Sequence, residues 1–120
     1  MMKGLEVKDR GAYLSFEFSS EFTVSAGKEC VDWMVAACAE KQCSRALLDC
    51  RQMTGKMSVF DRFDVVNYAQ KTRGIIHRIA ILLREDQTLP DKFAENVGVN
   101  RGIGLRVFTD DDQAISWLEE

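Results

Sequence analysis

Val107-Phe108-Thr109-Asp110-Asp111-Asp112-Gln113-Ala114-Ile115-Ser116-Trp117-Leu118 reads as the end of a buried strand running directly into a capped amphipathic helix. Leu105 to Phe108 form an apolar run too short for a helix. Asp110 is placed to accept a free backbone N–H of the first helical turn, and the acidic residues after it suit the positive end of the helix dipole. Ala114, Trp117 and Leu118 then fall where they can pack inwards. The three consecutive aspartates therefore have a structural task before any chemical one.

The same reading extends upstream. Leu5-Glu6-Val7-Lys8 and Tyr13-Leu14-Ser15-Phe16-Glu17-Phe18 alternate apolar and polar residues around Asp9-Arg10-Gly11, so the chain opens with a β-hairpin whose turn uses the glycine. Between Ser25 and Gln42, Cys30, Val31, Met34, Ala37 and Cys38 recur at helical spacing and predict a first helix. Arg45-Ala46-Leu47-Leu48-Asp49-Cys50 has the pattern of a strand covered on both faces. Ser58 caps a second helix in which Val59, Phe63, Val66 and Ala69 share a face, and Gly74 closes it. Arg78-Ile79-Ala80-Ile81-Leu82-Leu83-Arg84 is the clearest central strand; Thr88, Pro90 and Asp91 open a short third helix through Phe93, Ala94 and Val97, which Gly98 stops. The fold expected is α/β: one domain over residues 1–120, a mixed β-sheet of about five strands (the N-terminal hairpin plus parallel strands), and about four helices packed on it.

Composition narrows the function classes. The 120 residues are 46% hydrophobic and 29% charged, enough apolar surface for one core, and the net charge of -3 comes without a basic stripe for nucleic acid. No stretch approaches the roughly 18 to 20 apolar residues of a membrane span, and the first six residues hold no apolar leader segment, so the expected location is cytoplasmic. Cys30, Cys38, Cys43 and Cys50 show no C-x-x-C spacing and the single histidine, His77, lies far from them. They read as reduced core residues, with Cys43 the most exposed, and no metal or cofactor is expected. No nucleophile-elbow sequence accompanies His77, and Gly102-Ile103-Gly104 precedes a strand, the wrong order for cradling a pyrophosphate. The chain is not expected to be an enzyme.

Ala46-Leu47-Leu48-Asp49, Arg62-Phe63, Ile79-Ala80-Ile81, Phe93-Ala94-Glu95, Asn100-Arg101-Gly102 and the closing Val107-to-Leu118 segment follow one another in a recognisable order. Together they resemble the SpoIIAA-like family, small α/β domains grouped with the STAS and SEC14-like folds, over most of the chain. The resemblance implies a non-catalytic binding or regulatory module that acts through protein–protein or small-ligand contacts. STAS domains of the anti-sigma-factor antagonist kind carry a switching serine within Asp-Ser-x-Gly at the start of the helix after the third strand. Here that stretch, Asp49-Cys50-Arg51-Gln52-Met53-Thr54-Gly55-Lys56-Met57-Ser58, lacks the motif. Ser58 and Thr54 are the hydroxyls near the place; Ser58 is the candidate for phosphorylation, and a plain helix cap is its simpler task.

The SEC14-like relatives imply an alternative, a carrier of a lipid or other small apolar ligand. Met57, Phe60, Phe63, Tyr68 and Phe93 are candidates to line its cavity, and filling a core is their simpler task. A weaker alternative is a metal-dependent enzyme using carboxylates beyond the parallel strand ends, where Asp49, Arg51, Arg84, Glu85, Asp86, Thr109 and Asp110 gather. Arg101 lacks an obvious structural task and is expected to meet a partner or those carboxylates. The candidate contacts are thus Asp49, Arg51, Ser58, Phe60, Phe63, Arg101 and Asp110. A homodimer through Tyr13 of the hairpin or Tyr68 of the second helix is the remaining expectation.

Overall fold

Three short apolar runs lie side by side as parallel strands, and they place the middle of the chain at the middle of the protein. The computed structural model describes residues 2–88 and 98–120. Its strands are β1 (Leu5–Asp9), β2 (Leu14–Phe18), β3 (Arg45–Asp49), β4 (Arg78–Leu82) and β5 (Leu105–Phe108); its helices are α1 (Val24–Lys41), α2 (Val59–Tyr68) and α3 (Asp111–Glu119). They form one five-stranded sheet in sequential order, with β1 and β2 antiparallel and every later pair parallel. This is the expected mixed α/β sheet. The helix expected from Thr88 through Phe93, Ala94 and Val97 falls outside the described residues.

Sequential parallel neighbours joined by right-handed crossovers carry their connecting helices to one side of the sheet. Accordingly α1 and α2 share a face, packing Cys30, Met34, Cys38 and Val66 against Phe16, Phe18, Ala46, Ile79 and Leu105. The helix after β5 takes the other face, where Ala114 and Leu118 meet Leu47, Ala80 and Leu82. Both faces of β3 and β4 are therefore buried, as their near-continuous apolar sequence requires. Beyond Tyr13, β1 and β2 are covered on the α1 side alone, and Glu6, Lys8, Ser15 and Glu17 alternate with Leu5, Val7, Leu14 and Phe16.

α1, α2 and α3 each begin on a side-chain cap. Thr23 Oγ1 accepts the Ala26 N–H at 2.9 Å, Ser58 Oγ accepts the Asp61 N–H at 3.1 Å, and Asp110 Oδ2 accepts the Gln113 N–H at 2.9 Å. The far end of α3 is held by cations from the sheet: the Arg45 and Arg78 guanidiniums donate to the Leu118 and Trp117 carbonyls at the negative end of the helix dipole.

Several expectations are corrected. Tyr13 is not an exposed contact; it is 7% exposed and packs in the α3 core with Leu47 and Leu118. Tyr68 is half-buried, and its hydroxyl donates to Asp32 at 2.9 Å while Lys71 lies over its ring, so it too is occupied within the chain. Val59 and Phe63 turn outwards rather than sharing the buried side of Val66. Gly98 does not stop a helix, because residues 98–100 are themselves helical. The stop comes at Gly102 (φ 73°): its N–H donates to the Val99 carbonyl at 3.1 Å, and the Ile103 N–H to the Gly98 carbonyl at 2.8 Å. That pair of bonds is a Schellman ending, whose left-handed residue is favourable only for glycine or asparagine.

Gly104 shows how closely β5 approaches β4. A Cβ there would lie 2.0 Å from the His77 carbonyl oxygen, a backbone atom that cannot swing aside. Gly104→Ala is expected to lower the unfolding free energy in urea by at least about 3 kcal/mol, the upper range for overpacking. A change below about 0.5 kcal/mol would contradict this packing.

Candidate functional site

The ends of β3, β4 and β5 and the loops that leave them carry most of the charged residues singled out by the sequence. Asp49 closes β3, and Arg51 folds back on it: the backbone N–H and Nε donate to Oδ1, each at 3.0 Å, and Nη2 donates to Oδ2 at 2.8 Å. Arg51 Nη1 also reaches Asp111 Oδ1 at 2.6 Å, tying the β3–α2 loop to the start of α3. Arg84, beyond β4, donates to the Arg51 carbonyl and pairs through Nε with Asp86 at 3.0 Å. Gln87 adds a further tie, donating from Nε2 to the Cys50 carbonyl at 2.9 Å and accepting from the Arg62 guanidinium on its own carbonyl.

This belt holds together the exits of neighbouring strands and engages the Asp49, Asp86 and Asp111 carboxylates. Burial alone would raise the Asp49 carboxyl, but the Arg51 hydrogen bonds and charge outweigh it and hold the group below the ordinary carboxylate range. Asp110 is occupied as a cap, and Asp111 by Arg51. Among the described residues no group of three or more His, Cys, Asp or Glu is placed to hold a metal ion. The thiols are equally quiet: burial pushes Cys30 and Cys38 up to about 12 and raises Cys50 as well, so the reactive thiolate is suppressed. Cys43 is half-buried, its sulfur 3.3 Å from the Arg45 carbonyl.

The β3–α2 loop is anchored at Thr54, whose N–H donates to the Ser20 carbonyl at 3.2 Å and whose carbonyl accepts from Phe22 at 2.8 Å. From there the chain enters α2 at Ser58, which is exposed apart from its capping bond. The first turn of α2 displays apolar side chains to solvent: Phe60 is 82% exposed, Val59 47% and Phe63 38%. Val99, on the neighbouring helical turn, is 67% exposed.

Arg101 is not among the strand-end carboxylates. Residues that precede a parallel strand lie at the opposite end of the sheet from those that follow one, and Arg101 leads into β5. Its guanidinium stacks over Phe63, 4.8 Å from the ring centroid, and Nε donates to Asn67 Oδ1 at 2.6 Å. The structure thus joins Asp49 and Arg51 with the α3 start, places Ser58 beside Phe60, and joins Arg101 to Phe63. Asp111, Gln87 and Arg62 complete the belt without having been singled out as contacts, since their roles arise only when separate loops meet.

Behind α2 lies an apolar cavity of about 120 Å³, walled by Phe22, Met34, Leu48, Met53, Val65 and Ile81 among others. Of the residues expected to line a cavity only Met57 does so. Phe60 and Phe63 point outwards, Tyr68 is bound to Asp32, and Phe93 lies outside the described residues. Arg62 contributes to the wall, and its Nε is buried with no hydrogen-bond partner among the described residues.

A crystal structure of an anti-sigma factor antagonist from Mycobacterium paratuberculosis is similar to this chain, with a TM-score of 0.61 at 14% identity over 97% of this chain and 93% of that one. The fold is STAS-like. At that identity the agreement lies in the path of the chain rather than in shared side chains. No family model matches the chain, and no curated protein matches it in sequence. Among the described residues of this STAS-like fold no helix is long and apolar enough to cross a membrane.

A carboxyl held low stabilises the folded state above its unfolded value of about 4, and that contribution fades as pH falls through the folded value. Asp49→Asn is therefore expected to lower the urea midpoint at pH 7, with the gap to wild type shrinking steadily below about pH 4. A gap that stays constant down to about pH 2.5 would remove the ion pair as its cause.

Proposed function

We propose that this protein is a non-catalytic regulatory module that binds a protein partner through the outer face of α2 and the adjoining β3–α2 loop. The observation that carries the reading is Phe60, left 82% exposed on the first turn of a well-capped helix beside Val59 and Phe63. Burying such a side chain is worth about 1.5–3 kcal/mol, and nothing in the described chain does so. Grouped exposed apolar side chains on a soluble protein are the usual mark of a binding surface. The structural neighbour is by name an antagonist of an anti-sigma factor, a protein whose target is another protein, and a similar mode of action is proposed for this chain, as one domain over residues 1–120 in the cytoplasm.

The charged belt supports the same reading, since Asp49, Asp86, Asp110 and Asp111 already have arginine or backbone partners. Metal-dependent catalysis at the strand ends gains no support from it. Ser58, exposed and two residues before Phe60, is the hydroxyl placed to regulate such a surface: a phosphate there would meet the free N–H groups of α2 and put charge beside the apolar face. The cavity behind α2 favours a second reading, uptake of a small apolar molecule. Its 120 Å³ compares with the roughly 150 Å³ of a cavity that accepts benzene, so an acyl chain would require α2 to move away from the sheet.

Phe60→Ser is expected to change stability by less than about 0.5 kcal/mol, as for other exposed positions, while abolishing recovery of the partner that copurifies with the wild-type protein from its own cells. Glu40→Ala, on the far part of α1, should leave that recovery intact. Equal recovery with Phe60→Ser and wild type would sink the proposed surface. A small apolar mass retained in native mass spectrometry, with no protein partner, would favour the second reading instead.

A further inference from the structure

The outer side of β1 carries a self-complementary pattern of backbone groups and charges. β1 forms an edge of the sheet, paired only with β2 among the described residues. Its register runs Leu5 to Phe18, Glu6 to Glu17, Val7 to Phe16, Lys8 to Ser15 and Asp9 to Leu14. Bonds from the Ser19 N–H to the Gly4 carbonyl at 2.8 Å and from the Arg10 N–H to the Tyr13 carbonyl at 3.0 Å show which pairs exchange hydrogen bonds. By the alternation of an antiparallel ladder, Glu6 and Lys8 then turn their backbone groups towards β2, while Leu5, Val7 and Asp9 turn theirs outwards. The Leu5 N–H is taken by the Met2 carbonyl at 3.4 Å, which leaves the Leu5 carbonyl and both groups of Val7 and Asp9 at the open edge.

We propose that β1 pairs with β1 of a second copy of this chain, antiparallel about a two-fold axis at Val7, to make one continuous sheet across the dimer. Val7 would exchange both its bonds with the partner's Val7, and each Asp9 N–H would donate to the other chain's Leu5 carbonyl, about four bonds in all. The same register sets Glu6 opposite the partner's Lys8 twice over, in the pair type whose side chains approach most closely. A slip that moves the two-fold axis by one residue either way sets Glu6 against the partner's Glu6, or Lys8 against the partner's Lys8. Of these three registers only the Val7-centred one sets Glu6 against Lys8 and leaves no like charges facing each other at the axis.

The isolated chain also contains a conflict that the dimer relieves. Glu6 stands directly across from Glu17 on the uncovered face, and neither Glu6, Glu17 nor Lys8 has an ion-pair partner among the described residues. Like charges directly opposite on a sheet are unfavourable. In the dimer the partner's Lys8 would come alongside Glu6 and neutralise the pair. This surface lies on the hairpin, away from the exposed face of α2, and leaves that face open.

Analytical ultracentrifugation of the full chain over a concentration series tests the proposal. The wild type is expected to dimerise; Lys8→Glu and Glu6→Lys are each expected to weaken the dimer at least about tenfold. The double swap Glu6→Lys with Lys8→Glu should restore the dissociation constant to within about threefold. Because Glu6 and Lys8 are exposed, thermal unfolding checks that each variant stays folded, and Glu6→Lys should raise the monomer's midpoint slightly by facing Glu17. A wild type that stays monomeric throughout would overturn the proposal. So would a dimer that either single change leaves unaffected, or one that the double swap fails to restore.

Discussion

The structure depends on covering both faces of β3 and β4. Parallel strands with apolar residues on both sides are stable only between two layers, and the sequential order of this sheet sends α1 and α2 to the same layer. The second layer among the described residues is α3, a helix of nine residues. Its docking has to be firm: Ala114 and Leu118 are wholly buried, Asp110 caps one end, and Arg45 and Arg78 bind carbonyls at the other. The helix is short enough that these end contacts matter as much as its apolar stripe.

That docking also shapes the candidate site. Through Asp111 the start of α3 reaches Arg51, which is already clamped on Asp49, and through Arg84 and Gln87 the β4 exit joins the same belt. Asp49, Arg51, Arg84, Asp86 and Asp111 thus bond to one another and to nearby carbonyls. α2 joins this belt through Arg62, and its other side carries Arg101 on Phe63 and leaves Phe60 in water. The proposed association surface rests on this contrast between paired charges at the strand ends and an aromatic side chain left in water.

Much of this was legible in the sequence because it has local causes. The hairpin follows from alternation around Asp9-Arg10-Gly11, the parallel strands from short apolar runs, and the α2 and α3 starts from Ser58 and Asp110, whose capping bonds span three residues. What escaped had tertiary causes. Helical spacing groups Val59 and Phe63 with Val66 but cannot say how far round the helix the core extends. Tyr13 looked like a hairpin surface residue because the position of α3 is invisible before the chain has folded. Of the two contacts expected for Arg101, the strand-end carboxylates are out of reach, as its place before β5 already implied. The 14% identity with the M. paratuberculosis structure makes the same point: strand pattern and element order persist where individual contacts do not.

The central claim is that the bare face of α2, and not the charged strand ends, is where this protein acts. Hydrogen–deuterium exchange of the protein in its isolated complex, set against the free chain, tests it most directly. New protection concentrated over residues 58–67 and 98–102, with the segments at 49–51 and 109–112 unchanged, is the result this account predicts. Protection centred on those strand ends, with α2 exchanging as it does in the free chain, would contradict it.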